Sequence, residues 1–222
     1  PKVVWQLPEY GTFNLHASLL PEYRGAAPIN WAIINGETKT GVTTFFIDEK
    51  IDTGAILLQE ETTIEPNEDA GSLHDRLMLL GAVTVLKTVE RIKGGDLSTT
   101  LQQNTTALKL AYKLERNTCK IDWDLPIETI HNFIRGLSPY PAAWSTLHNG
   151  DETLTMKIFK VEMEKTAHKL NVGQLIHNKK EIKIAVKEGF LNLLEIQIQG
   201  KKRMLTRDLL NGLVLSENVF LR

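Results

Sequence analysis

The sequence predicts an α/β unit followed by a small closed β-barrel. Residues 1–95 alternate between strand-like and helix-like patterns, whereas residues 116–222 hold four or five short alternating runs. The charge divides similarly, because residues 1–111 carry a net charge of −5 and residues 112–222 one of +4. We therefore expect two domains, joined over residues 96–115 by a polar connection that is partly ordered at best.

The first unit opens with a strand and a short helix. Apolar alternation over residues 11–20 predicts a strand that runs into a loop at Pro21. Residues 27–34 have helical apolar spacing with a proline near the start, where its missing N–H costs nothing. Asn35-Gly36 is a typical helix stop.

Two further strands and a long helix complete this unit. Residues 41–47 are rich in β-branched and aromatic side chains and predict a strand, and residues 55–64 predict a second one after a tight turn. The helix that follows is expected to be capped by Ser72 and to end near Gly94. Its predicted apolar face consists of Leu73, Leu77, Leu80, Val83 and Leu86.

The second unit opens with a short predicted helix over residues 127–137, closed by Ser138-Pro139. Short strands spaced about 10–15 residues apart follow, which favours a small barrel. The predicted strands cover residues 143–147, 154–161, 172–176, 182–185 and 190–198, and a helix over residues 205–213 ends the chain.

The composition suits a protein of a reducing compartment. Hydrophobic residues make up 42% and charged residues 24% of the chain, as is ordinary for a globular protein. No apolar run is long enough to predict a membrane helix, and no signal peptide is recognisable. The single Cys119 cannot form an internal disulfide and is expected to be a bystander thiol. We therefore expect a cytoplasmic protein.

The densest polar cluster begins with Asn14 and His16. Two residues apart on a strand, their side chains point to the same face. An amide and an imidazole side by side can both donate a hydrogen bond to one oxygen, which suits a carbonyl that becomes negative during attack. The alternative is a histidine that only completes the hydrogen bonding of a strand edge. No second His or Cys lies at metal-ligand spacing, so we expect no metal.

Asp52 follows His16 by 36 positions, in the turn Asp52-Thr53-Gly54. An acid in a tight turn between two strands could approach the imidazole and hold its tautomer or its proton. By itself the pattern is weak, because Asp before Thr-Gly is common in turns. The sequence contains neither a nucleophile elbow nor a glycine-rich phosphate loop.

Longer stretches of the amino-acid sequence are more specific than any one of these patterns. The stretches NLHASLLPEYRGAAPINW (14–31) and GVTTFFIDEKIDTGAILLQ (41–59) resemble the formyltetrahydrofolate-dependent formyltransferases. The continuation GAAPINW, with AYKL (111–114), IDW (121–123) and IRGLSPYPAAW (134–144), is similar to the branch of that family that acts on methionyl-tRNA. The resemblance covers essentially the whole chain.

This resemblance implies a fold and a set of site residues. The fold is the C-terminal half of a Rossmann-like formyltransferase domain with a parallel sheet, followed by a small OB-like barrel. The family's catalytic Asn, His and Asp match Asn14, His16 and Asp52. Its folate-contacting stretch matches Ser18, Leu19, Leu20 and Pro21. The formyl donor is 10-formyltetrahydrofolate, and the acceptor is the α-amine of methionyl-initiator tRNA in translation initiation.

The basic second unit is the expected tRNA-binding part. The resemblance assigns a tRNA contact to Lys113, and Lys201, Lys202 and Arg203 could supply phosphate contacts. The alternative is that these lysines only keep a small barrel in solution. Tyr140 and Trp144 could stack on a base, but beside Pro139 and Pro141 we expect them to be packing residues.

Family members carry about 90–100 further residues upstream, the first half of the nucleotide fold. Without that half, the chain is expected to expose an unpaired strand edge and apolar surface and to be at risk of self-association there, whereas the complete protein is expected to be a monomer. The three catalytic side chains can then be present while activity is absent, since part of the folate site is missing.

Three other functions compete with this interpretation. Formyltransferases that act on an amino-sugar nucleotide share the Asn14, His16 and Asp52 pattern, although the second unit fits them less well. A hydrolase that releases formate from the same carrier would usually lack the barrel. A non-catalytic RNA-binding module would be credible only if the three polar side chains did not converge.

Overall fold

The computed structural model describes residues 2–103 and 108–222 and divides into two compact units. The first unit comprises the chain up to Ile33 together with Glu37–Lys113, and the second comprises Ile34–Gly36 and Leu114–Arg222. Part of the expected connection, residues 104–107, lies outside the described residues. No helix within the described ranges is both long and apolar enough to cross a membrane.

The first unit is built on a three-stranded sheet with helices beside it. Its elements in chain order are α1 Lys2–Trp5, β1 Phe13–His16, β2 Arg24–Gly25, α2 Pro28–Ile34, β3 Lys39–Phe46, β4 Ile56–Thr63, α3 Ala70–Lys93 and β5 Leu110–Ala111. The helix and strand pattern predicted from the sequence is present, but β1 is shorter than the predicted run 11–20.

The sheet has the order β1-β3-β4, and both pairings are antiparallel. The expectation of a parallel sheet was wrong for these strands. Only a short turn joins β3 to β4, and a turn of this kind returns the chain antiparallel, whereas parallel strands need a long crossover. In the part of the chain that the structure describes, the only parallel pairing between strands is the short one of β2 with β5. The outer edge of β1 has no strand partner there, so the expected unpaired edge is present.

The N-cap of the long helix α3 lies three residues before the expected one. Asp69 is the N-cap, and its carboxylate accepts a hydrogen bond of 2.8 Å from the backbone N–H of Ser72. The prediction for the apolar face was wrong for Val83 and Leu86, which are exposed, whereas Leu80 is partly buried and packs against the core of this unit. The residues that α3 buries are Ala70, Leu73, Leu77, Gly81, Thr84 and Thr88. Because Gly81 has no side chain, Leu15 of β1 packs closely against α3. A Cβ at Gly81 would lie 2.6 Å from the side chain of Leu15.

The second unit is a nearly closed barrel. It contains a short 3₁₀ turn, Asn117–Cys119, then α4 Ile127–Leu137, β6 Ala143–Asn149, β7 Glu152–Glu164, β8 Leu175–His177, β9 Ile182–Val186, β10 Gly189–Ile198, β11 Met204–Leu205, α5 Thr206–Leu209 and β12 Phe220–Leu221. The strand order is β12-β6-β7-β10-β9-β8, with β11 against β10. The predicted helix 205–213 is reduced to α5.

Hydrogen bonds at the first and last strands of this order bring the two edges of the sheet together. The N–H of Leu221 donates to the carbonyl of Gly173 at 2.9 Å, and the N–H of Leu175 donates to the carbonyl of Val219 at 3.1 Å. The side chains of Ile130, Ile134 and Leu137 on α4 are fully buried in the core of this unit. Removing such a side chain typically costs about 2–5 kcal/mol, so α4 and the sheet stabilise each other.

Candidate active site

The site begins on β1, which pairs in regular register with β3. Asn14 lies opposite Phe45 and His16 opposite Thr43. Because the pairing is regular, both side chains lie on one face of the sheet, as the spacing predicts. Asn14 is exposed at the end nearer the start of the strand, whereas His16 is only 7% exposed. An accessible amide and a shielded imidazole are therefore neighbours at the rim of the sheet.

Asp52 reaches His16 from the turn between β3 and β4. Its Oδ2 lies 3.7 Å from Nδ1 of His16, which is an ion-pair distance and longer than a direct hydrogen bond. The same oxygen accepts a hydrogen bond of 3.0 Å from the backbone N–H of Gly25. The carboxylate is thus held on one side by main chain and faces the imidazole on the other.

The backbone of the turn is shaped to present this carboxylate. Asp52 has a φ of 56°, a left-handed conformation that aspartate tolerates better than most residues. Two residues later, a Cβ at Gly54 would lie 1.6 Å from the carbonyl oxygen of Phe46. Only glycine fits there, which gives a physical reason for the Asp-x-Gly pattern of the sequence.

The second ring nitrogen of His16 is already engaged. Nε2 lies 2.8 Å from the backbone carbonyl oxygen of Tyr23. A carbonyl can only accept, so Nε2 carries a proton and donates it to this bond. Tyr23 has a φ of 60°, which is strained for an aromatic residue, and its hydroxyl donates to Glu37 at 2.6 Å. Tyr23 is a positioning residue that the sequence alone did not single out.

The carboxylate of Glu37 holds Tyr23 in place, because it accepts the hydrogen bond from the Tyr23 hydroxyl. Burial raises the pKa of Glu37, but the hydrogen bonds from Lys109 and Tyr23 outweigh it, so the pKa lies below its ordinary value. Glu37 therefore stays ionised at neutral pH and keeps its hold on the Tyr23 hydroxyl.

Gln102 is the second supporting residue that the sequence did not reveal. Its Nε2 donates to the carbonyls of Asp52 at 3.0 Å and of Gly54 at 2.8 Å. Its Oε1 accepts from Arg24, at 3.0 Å from Nε and 2.7 Å from Nη2. Gln102 lies in the segment that was expected to be partly ordered at best, and nearby Thr100 forms a β-bridge with Ile56. No local pattern marks such a contact, because 50 positions separate Gln102 from Asp52.

The stretch from Ser18 to Pro21 follows His16 closely in the chain. Ser18 is fully buried, and its hydroxyl donates to the carbonyl of Glu22 at 2.6 Å. Leu20 is buried as well, whereas Leu19 and Pro21 are partly exposed. Side-chain contacts to a ligand are therefore open to Leu19 and Pro21, and Ser18 shapes the loop from inside.

The basic residues named from the sequence differ in their availability. Lys113, Lys201 and Lys202 are exposed. Arg203 is engaged by Glu195, with bonds of 2.8 and 2.7 Å, and its guanidinium lies 4.1 Å over the ring of Phe159. The three lysines are free to meet a polyanion, whereas Arg203 would first have to leave its partners.

The single thiol of the chain, Cys119, belongs to the second unit. Cys119 is buried, and burial raises the pKa of its thiol, which makes it a poor nucleophile. Among the residues that the structure describes, no group of three or more His, Cys, Asp or Glu side chains could hold a metal ion.

Sequence comparison identifies the class of enzyme to which this site belongs. Residues 1–89 match the family model described as formyl transferase, and residues 113–214 match the formyl transferase C-terminal domain. The chain thus contains regions of both domains of a formyl-transferring enzyme.

Two related proteins of high sequence identity indicate which kind of formyltransferase the chain is similar to. The chain is 59% identical over 217 residues to the methionyl-tRNA formyltransferase of Flavobacterium johnsoniae, which covers 98% of this chain and 69% of that protein. It is 49% identical over 222 residues to the methionyl-tRNA formyltransferase of Bacteroides thetaiotaomicron, again over 98% and 69% of the two chains. The chain belongs to the methionyl-tRNA formyltransferase family.

Solved structures share the fold at lower identity. A structure of HypX from Aquifex aeolicus in complex with tetrahydrofolic acid superposes with a TM-score of 0.69 and 21% identity, over 95% of this chain and 36% of that chain. An N-formyltransferase from Helicobacter canadensis, in complex with folinic acid and dTDP-3-aminofucose, superposes with a TM-score of 0.60 and 24% identity, over 86% and 66% of the chains.

Proposed function

We propose that the chain transfers the formyl group of 10-formyltetrahydrofolate to the α-amine of methionyl-initiator tRNA in translation initiation. The observation that carries this proposal is the convergence of His16 and Asp52, 3.7 Å apart, beside the exposed amide of Asn14 at the rim of the sheet. The identity of 47–59% to several methionyl-tRNA formyltransferases supports the choice of acceptor.

The chemistry is a direct acyl transfer without a covalent enzyme intermediate. The neutral amine attacks the formyl carbon, a C–N bond forms, and the carbonyl oxygen becomes an oxyanion. Asn14 donates to this oxygen through its side-chain amide. His16 donates through Nδ1, because Nε2 is bonded to the carbonyl of Tyr23. Each such donor is typically worth about 2.7–4 kcal/mol of barrier.

Donation from both ring nitrogens requires that His16 carry a second proton. The carboxylate of Asp52, which faces Nδ1, stabilises that positive charge. The proton that leaves the amine passes to Asp52, directly or through one water, and Asp52 returns it to the folate nitrogen as the bond between that nitrogen and the formyl carbon breaks. Precise positioning of both substrates contributes alongside this proton transfer.

Ser18, Leu19, Leu20 and Pro21 are the proposed wall of the folate site. The partly exposed side chains of Leu19 and Pro21 offer apolar surface, and the loop adjoins His16 in the sequence. Folate compounds are bound in both structural neighbours, HypX with tetrahydrofolic acid and the Helicobacter canadensis enzyme with folinic acid, which supports a folate donor here.

In this proposal, residues 1–95 perform the chemistry, residues 96–115 connect, and residues 116–222 form a barrel of the OB type that binds tRNA. Lys113, Lys201 and Lys202 are the proposed phosphate contacts, since all are exposed. Arg203 joins them only if it exchanges Glu195 for a phosphate. An acceptor of this kind places the protein in the cytoplasm, where translation takes place.

A formyltransferase for an amino-sugar nucleotide is the second candidate. The Helicobacter canadensis structure, in complex with an amino-sugar nucleotide, has a similar fold. That enzyme is only 24% identical to the chain, against 47–59% for the methionyl-tRNA formyltransferases, so the initiator tRNA is the favoured acceptor.

The test offers three acceptors with a labelled formyl donor. Charged initiator tRNA, free methionine and an amino-sugar nucleotide are incubated in parallel, and the Flavobacterium johnsoniae relative is the positive control. We expect label on the charged tRNA alone. Label on the sugar nucleotide, release of formate in place of transfer, or no transfer by this chain where the relative succeeds would each contradict the proposal.

A further inference from the structure

A cavity of about 580 Å³ is lined by residues of the second unit, and none of the residues assigned to formyl transfer lines it. It is lined by the segment that includes Arg116, by Tyr140 and Trp144 around the start of β6, by Lys157 of β7, and by the end of β10 with Gln199. Its volume is within the range of about 300–1,000 Å³ that small-molecule sites occupy. Neither the catalytic proposal nor the phosphate contacts named above make use of it.

Tyr140 presents an aromatic ring at this cavity. It is 83% exposed, so the expectation that it packs between its prolines was wrong. Trp144 is partly buried and fixed, because its Nε1 donates to the carbonyl of Arg116 at 2.7 Å. An exposed aromatic ring is a typical stacking surface for a flat aromatic ligand, and Trp144 lines the same cavity.

The charge of the cavity favours an anion. Arg116 and Lys157 line it, and Lys120 lies close by, 5.7 Å from the ring of Trp144. In the described part of the chain, none of these three cations forms an ion pair with a carboxylate. Glu115 is the one acid in the lining, so the positive charge is in excess.

Two glutamines supply polar groups of both kinds. Gln199 accepts from the N–H of Thr155 at 3.2 Å through Oε1, which leaves its amide donor for a ligand. Gln197 donates to the carbonyl of Lys201 at 3.0 Å through Nε2, which leaves its carbonyl acceptor. A donor and an acceptor beside a stacking surface can form hydrogen bonds with the edge of a stacked base.

We propose that this cavity binds one unpaired nucleotide of RNA. The base stacks on Tyr140, the phosphate lies between Arg116 and Lys157, and Gln197 and Gln199 contact the base edge. A base within a duplex cannot enter, because both its faces are covered by stacking. The choice of RNA as the source of the nucleotide rests on the proposed tRNA acceptor, while the nucleotide chemistry rests on the cavity alone.

The experiment measures binding by fluorescence anisotropy with a labelled single-stranded RNA oligonucleotide, the same sequence as a blunt duplex, and unlabelled AMP as competitor. Stacking of one base predicts that Tyr140→Ala weakens single-strand binding by about 5–150-fold, while Tyr140→Phe stays within about two-fold of the wild type. Lys157→Gln should reduce the slope of log affinity against log salt by about 0.7. Lys169→Gln, an exposed lysine of the same unit outside the cavity, should leave that slope unchanged.

The outcomes separate this proposal from the formyl-transfer proposal, since the binding assay contains no formyl donor. Equal affinity for duplex and single strand, or unchanged binding by Tyr140→Ala, would overturn the nucleotide site. Binding of AMP without binding of the oligonucleotide would overturn RNA as its source. Melting temperatures confirm that each variant is folded, which the exposure of Tyr140 leads us to expect.

Discussion

The two ring nitrogens of His16 have different partners, and this difference decides what the imidazole can do. Nε2 donates to the carbonyl of Tyr23, while Nδ1 faces the carboxylate of Asp52. An imidazole held in this way can use only Nδ1 on a substrate. The hydrogen bond from Gly25 fixes the carboxylate, so the direction of Nδ1 and its charge partner are set before any substrate binds.

Gln102 provides a test of how far the turn at Asp52 depends on distant support. Gln102→Met removes the hydrogen bonds to the carbonyls of Asp52 and Gly54 but keeps a similar volume. We expect a fall of about 10–100-fold in kcat with little change in KM, because a displaced carboxylate affects the transition state more than binding. The assay is steady-state formyl transfer to charged tRNA.

The matched control is Gln103→Met, one position along and exposed. It should retain the wild-type kcat. An unchanged kcat in Gln102→Met would show that Asp52 keeps its place without this contact.

At the scale of elements, the turn between β3 and β4 depends on Gly54. Because a Cβ there would lie 1.6 Å from the Phe46 carbonyl oxygen, Gly54→Ala must displace the turn. We expect a loss of about 1–3 kcal/mol in unfolding free energy together with a loss of activity. Denaturant unfolding measures the change in unfolding free energy. Gly212→Ala, where a Cβ would meet nothing within 4 Å, should leave stability near the wild-type value.

Helix α4 makes the second unit sensitive to acid through His131. Burial, with the nearby charge of Arg135, lowers the pKa of His131 below the ordinary 6.5. The unfolded chain therefore takes up the proton at a higher pH than the folded chain. The stabilising contribution is complete above about pH 6.5 and is lost as pH falls through the lowered folded pKa.

Chemical denaturation between pH 8 and pH 5 tests this behaviour. The free energy of unfolding of the wild type should fall towards the acid end, and His131→Gln should flatten that dependence. His177→Gln, which removes an exposed histidine of β8, should leave the slope as it is. Equal slopes in all three proteins would assign the acid sensitivity to other groups.

At the scale of the whole molecule, apolar surface and a strand edge remain uncovered. Leu79 and Leu86 of α3 are 68% and 64% exposed, and Met78 and Val83 are exposed beside them. Such surfaces favour self-association. We expect the sedimentation coefficient to rise with protein concentration and the variant Leu79→Glu/Leu86→Glu to remain monomeric.

The control for charge is Asn67→Asp/Gln103→Glu, which adds two negative charges elsewhere in the first unit and should associate like the wild type. A wild type that sediments as a monomer at every concentration would contradict the prediction.

The sequence predicted what depends on local signals and missed what depends on distant contacts. Helix α4 matches its prediction at both ends, because its spacing and the Ser138-Pro139 stop are local. Val83 and Leu86 of α3 were assigned to its buried face but are exposed, since apolar residues lie on more than one side of the helix. In the site, Asn14, His16 and Asp52 could be named from motif and spacing. The supporting roles of Tyr23 and Gln102 arise only when strands and turns come together.

The most direct test of the account is the rate of formyl transfer by Asp52→Asn in a single-turnover assay with charged initiator tRNA. Asparagine keeps the shape and tolerates the left-handed backbone of this position, so the change removes only the charge and the proton acceptor. We predict a fall of about 100–10,000-fold, with an unchanged melting temperature and wild-type rates for the exposed control Asp75→Asn. A near-normal rate in Asp52→Asn would contradict the assignment of Asp52 as the partner of His16.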